Sequence, residues 1–130
     1  MNTKIILTTS VLFLGLIGIG LSFLPNEILT YLSVETQKVT IILMQLFGAL
    51  YLGFGILNWM AKDSIIGAIY NKPIVLGNLM HFGVGALALI KVAFSAKNNT
   101  EIIVALTILY TLFAIAFGYI FMVNPNKLKK

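Results

Sequence analysis

Apolar residues fall in four runs separated by short polar stretches, roughly Ile5–Leu24, Val39–Ala61, Pro73–Phe94 and Glu101–Val123. Each run is close to the ~20 residues that a helix needs to cross ~30 Å of hydrocarbon. The pattern predicts an all-α fold: an integral membrane four-helix bundle of up-down topology, one transmembrane domain over residues 1–130. Pro25 is expected to end the first helix, Pro73 to sit in the first turn of the third, and Pro125 to block extension of the fourth. Asn99-Thr100-Glu101 offers capping groups to the fourth helix. The first run also resembles a signal peptide, but its exit, Leu21-Ser22-Phe23-Leu24-Pro25, lacks a small-x-small cleavage site, so an uncleaved helix is expected. Between the second and third runs, Ile65, Ile66, Ile69 and Tyr70 recur at helical spacing. This fits a short helix in the headgroup plane with Trp59 and Tyr70 as anchors, or else an irregular loop.

In lipid, helices associate through close packing of small residues and through polar side chains, so the buried faces are sought among Gly, Ala and polar positions. The first helix offers Val11, Gly15, Gly18 and Ser22; the second Met44, Gly48, Tyr51, Gly55 and Asn58. The third offers Asn78, His81, Gly85 and Ala88, and the fourth Thr107, Tyr110, Ala114 and Phe117. These steps of three and four residues trace a left-handed bundle seam. Leu52 falls on another face, and Gln45 stands alone near the outer end of its helix.

Composition fixes the solvent. Of the 130 residues, 59% are hydrophobic and 10% charged, and the mean hydropathy is +1.00. Soluble domains carry roughly 25% charged residues, and this chain cannot cover a core with a polar shell. The net charge of +5 comes from lysines alone. They are spread over loops and the tail, which points to membrane lipids as partners and away from nucleic acid. Four spans put Lys4, Lys62, Lys72, Lys127, Lys129 and Lys130 on one side and Lys38, Lys91 and Lys97 on the other, so both termini are expected in the cytoplasm.

Candidate chemistry is sparse. The absence of cysteine removes disulfides, thiolate catalysis and sulfur-ligated metals, and one histidine cannot hold a haem by two histidines within one chain. The first helix lacks the carboxylate on which small multidrug exporters depend. No cofactor, metal site or catalytic residue is indicated. One constellation stands out. Counting inward from the helix ends, Asn58 lies three residues from Ala61, Asn78 five from Pro73, His81 eight, and Tyr51 ten. Tyr51, Asn58, Asn78 and His81 are therefore expected to gather in the cytoplasmic half, either satisfying one another and fixing register or lining a ligand site.

The proline after the first helix, in Phe23-Leu24-Pro25, and the glycine-rich Phe47-Gly48-Ala49-Leu50-Tyr51-Leu52-Gly53-Phe54-Gly55 resemble the DoxX-like superfamily of small bacterial four-helix membrane proteins. The resemblance implies a small bacterial inner-membrane protein, and some members are linked to quinone-dependent oxidation. No motif here carries over a quinone or catalytic position. Three functional classes follow. The leading one is a non-enzymatic accessory or assembly subunit or protective membrane factor, working through a membrane-protein partner, a homo-oligomer or lipid. The second is a binder of, or enzyme on, a quinone or lipid. The third is a pore or holin-like oligomer, disfavoured because no helix has a sustained polar face.

Overall fold

A computed structural model describes residues 2–64, 71–95 and 97–123. The fold is all-α, and no strand occurs among the described residues. The helices are α1 (Thr3–Phe23), α2 (Pro25–Tyr31), α3 (Lys38–Ala61), α4 (Lys72–Ala93) and α5 (Thr100–Met122). All but α2 are long and apolar enough to cross a membrane. Even the 21 residues of α1 rise about 31 Å. Residues Ile65, Ile66, Ile69 and Tyr70, expected as an interfacial helix or a loop, lie outside the described residues, as does Pro125.

α2 is additional to the four expected helices. Pro25 does more than stop α1: it opens the next helix at the first helical position, where its missing N–H has no helical partner to lose. The end of α2 is closed by a Schellman motif in which the Ser33 N–H bonds to the Thr30 carbonyl (3.1 Å) and the Val34 N–H to the Leu29 carbonyl (2.9 Å). Ser33 holds the left-handed conformation (φ 57°) that glycine usually takes there. At α5, Asn99 occupies the N-cap position, and its carbonyl accepts from the Ile103 N–H at 3.1 Å. Its side chain makes no capping bond, so the side-chain cap expected from Asn99 is not formed, and Glu101 in the first turn supports the helix start through the helix dipole.

The chain divides into two compact units: residues 7–60, holding most of α1, α2 and α3, and residues 1–6 with 61–130, holding α4 and α5. In the first unit α1 and α3 run antiparallel, since Ser22 meets Gly48, Gly18 meets Leu52 and Ser10 meets Asn58. Leu7, Ser10, Leu14 and Gly18 are the buried line of α1. Gly18 and Gly48 bring the backbones together: a Cβ added at Gly48 would lie 2.8 Å from the Ser22 nitrogen and 2.9 Å from the Gly18 carbonyl oxygen. Leu52, expected on another face, packs instead onto Gly18, where an added Cβ would meet its Cγ at 2.8 Å. The small residue on α1 is the socket for a large one on α3. Gln45 is not alone either. Its side-chain amide donates a long bond (3.4 Å) to the Ser22 carbonyl, one of the last four in α1 that have no helical donor.

In the second unit α4 and α5 are antiparallel around Phe82, which is fully buried. Its ring stacks on Phe113 (4.7 Å, 25°) and Phe117 (5.7 Å, 6°) and meets Tyr110 edge-on (5.3 Å, 68°). The buried line of α4 is Val75, Asn78, Phe82 and Ala86. Ala88, expected inside, is exposed, because it lies two residues beyond Ala86 and so on nearly the opposite side of the helix once Phe82 sets the inward face. In the first turn of α1, Lys4 Nζ sits 2.6 Å from Oδ1 of Asp63, which lies just past the end of α3. That hydrogen bond holds the Asp63 carboxyl below the usual carboxylate range.

Candidate functional site

The four residues singled out by sequence fall two in each unit. Tyr51 and Asn58 lie on α3, and Asn78 and His81 on α4. Asn58 and Asn78 are fully buried; Tyr51 and His81 are half-buried.

Asn58 lies three residues from the end of α3 and faces α1. Its Nδ2 donates to Ser10 Oγ at 2.9 Å, while the Ser10 hydroxyl donates to the Leu7 carbonyl at 2.7 Å. Ser10 thus accepts across the helix pair with one lone pair and discharges its own proton within its helix. Cross-helix bonds of this kind in membranes are worth about 0.6 kcal/mol on average and up to about 1.7. Their larger effect is on register, because a one-residue slip would leave a fully buried amide without its partner. Asn78 bonds back to its own helix, Nδ2 to the Ile74 carbonyl at 2.9 Å. Among the described residues no buried side-chain nitrogen or oxygen lacks a hydrogen-bond partner.

His81 is paired with Tyr110 of α5. The tyrosine oxygen and His81 Nε2 are 3.4 Å apart, and the two rings lie at 39° with centroids 5.6 Å apart. When Tyr110 donates, the imidazole carries its proton on Nδ1; when Nε2 donates, the phenol accepts, so the pair can exchange donor and acceptor roles. The edge of Phe82 closes one side of the imidazole (4.9 Å, 81°). Gly85 makes the arrangement possible, since any Cβ there would run into the Tyr110 ring. The site therefore offers one hydrogen-bonding imidazole–phenol pair against an aromatic wall. Among the described residues no three His, Cys, Asp or Glu side chains gather where they could hold a metal ion.

Two residues that matter to these contacts escaped the sequence reading. Ser10 sits one position off the Val11–Gly15–Gly18–Ser22 line; its spacing to Leu7 and Leu14 is the signal that marks it. Phe82 is neither small nor polar and so does not mark an interior position by those criteria, although Tyr110, Phe113 and Phe117 at three- and four-residue steps on α5 announce an aromatic face that needs a ring opposite.

No protein-family model matches the chain, and neither a curated protein nor a solved structure is similar to it.

Proposed function

We propose that this chain is a small multi-pass protein of the bacterial cytoplasmic membrane, of DoxX-like type, that works without chemistry of its own. It acts as an accessory or assembly subunit of a membrane complex, or as a protective membrane factor. The observation that carries this reading is the disposition of the fully buried polar side chains: Ser10, Asn58 and Asn78 are engaged in hydrogen bonds within their own helix pair. Groups committed in this way hold helices in register and are not presented to a substrate. The exposed faces are apolar, with Leu16 73%, Leu87 71% and Met122 86% exposed, and so suit contact with lipid or with another membrane protein. The same apolar faces weigh against a pore.

The test is purification of the tagged full chain in mild detergent followed by native mass spectrometry. A membrane-protein partner at fixed stoichiometry, undisturbed by His81→Gln, is the expected result. A bound quinone or other lipophile that disappears with His81→Gln while the fold is kept would overturn it. That second reading has one observation in its favour, the Tyr110–His81 pair at 3.4 Å inside a membrane-length helix. Glutamine preserves polarity at position 81 but cannot exchange a proton near neutral pH.

Orientation is part of the proposal. The six-to-three division of lysines supports both termini in the cytoplasm. A green fluorescent protein fused after Lys130 should fluoresce and alkaline phosphatase at the same point should be inactive; an active phosphatase there would reverse the topology.

A further inference from the structure

The α1–α3 pair does not close along its whole length. Beside the contact of Gly55 with Gly15 there is a groove of about 200 Å³ lined by Val11, Gly15, Leu52, Gly55, Ile56 and Trp59. It exists because side chains are missing. A Cβ at Gly55 would be in ordinary contact with the Gly15 nitrogen at 3.8 Å, so the helices are close there, whereas one at Gly15 would have nothing within 4 Å. Ile56 and Trp59 line the groove from α3 and are 61% and 53% exposed, which leaves it open along its outer side. We propose that this groove holds one acyl chain of an anionic phospholipid, with Trp59 at its mouth. The inference requires only membrane-spanning helices and stands or falls separately from the partner role proposed above.

Depth, lining and charge each point to that occupant. Gly55 is six residues from the end of α3, about 9 Å of helical rise, so the groove opens at hydrocarbon depth. Trp59, two residues from that end, is at the level where indoles sit between headgroups and chains. Apart from that indole the lining side chains are purely apolar, so water or a polar ligand would find too few partners, while a slender methylene chain needs none. At this end of the antiparallel pair the sequence carries Lys4 on the first turn of α1 and Lys62 and Asp63 just past the end of α3. Two lysines against one acid make this end positive, which favours an anionic phosphodiester headgroup over a zwitterionic one.

Trp59 is the single tryptophan of the chain, so the intact protein reports on the groove without mutation. Reconstituted into vesicles containing phosphatidylglycerol or phosphatidylethanolamine brominated along the acyl chain, its fluorescence should be quenched saturably, and at several-fold lower mole fraction for the anionic lipid. Equal quenching by the two would overturn the anionic assignment, and quenching that only rises in proportion to lipid content would overturn the site itself. Gly15→Leu, whose side chain enters open space, should cut phosphatidylglycerol retention in native mass spectra at least tenfold with helicity unchanged. Gly53→Leu, where a Cβ also meets nothing within 4 Å, should retain it. Undiminished lipid in Gly15→Leu, or a change of oligomeric state in its place, would overturn the proposal and give the groove to a protein side chain.

Discussion

Gly48→Leu should separate α1 from α3 and cost the protein about 3 kcal/mol or more, the upper part of the overpacking range. The cost depends on which atoms would have to move. An added Cβ meets the Ser22 hydroxyl, which can rotate away, but it also meets the Ser22 nitrogen at 2.8 Å and the Gly18 carbonyl oxygen at 2.9 Å, which belong to helical backbone and cannot. The helices must therefore part, and Leu52 on Gly18, Gln45 on the Ser22 carbonyl and Asn58 on Ser10 are stretched together. Loss of more than about 10 °C in melting temperature in detergent is expected, and even Gly48→Ala should be felt. Gly53→Leu on the same helix is the control, because a Cβ there enters open space. A Gly48→Leu protein melting within about 2 °C of the parent would remove the close approach from the account.

Gly85→Leu is expected to be the second most damaging change, at about 1–3 kcal/mol. Its mechanism differs, because the obstacle is a side chain. A Cβ at position 85 strikes the Tyr110 ring, which is 5% exposed and backed by Phe82 at 5.3 Å, so the ring has no free rotamer to adopt without disturbing the stack on Phe113 and Phe117. Displacing Tyr110 also removes the hydroxyl from His81. Near-ultraviolet circular dichroism should therefore lose aromatic intensity while the far-ultraviolet helical signal persists, together with a lower melting temperature. Gly83→Leu, two residues away with open space at its Cβ, should leave both signals intact. If the two variants behave alike, Gly85 is not what seats Tyr110.

The four membrane-length helices were legible in the sequence, with limits within two residues, because hydrocarbon thickness and proline placement leave little freedom, whereas the seven residues of α2 are too few to stand out from the run before them. The α1–α3 face was legible for a related reason: where backbones touch, only Gly18 and Gly48 fit, and glycine is visible in the sequence. The α4–α5 face was read less well. There the interface is filled by rings, and Phe82 looks no different in a hydrophobic run from the lipid-facing leucines around it. Ala88 lies outside for the same reason, because Phe82 and not the small residues sets the inward face of α4. Of the candidate site, the identity of the buried amides could be read from sequence, since polar residues are conspicuous in apolar helices. Their partners could not: Ser10 and Tyr110 are common residue types, and only the rotation of each helix decides which of them meets Asn58 or His81.

The pairing of Asn58 with Ser10 also has a meaning for synthesis. A polar amide entering hydrocarbon unpaired is costly, and a growing chain delivers its spans in order. When α3 leaves the ribosome and enters the membrane, α1 is already there with the Ser10 hydroxyl in place, 48 residues earlier in the chain. The first hairpin can thus satisfy its buried amide before α4 reaches the membrane, and it presents the insertion machinery with a paired set of spans. Biogenesis of this chain can accordingly proceed hairpin by hairpin, with α1 and α3 paired before α4 and α5 follow.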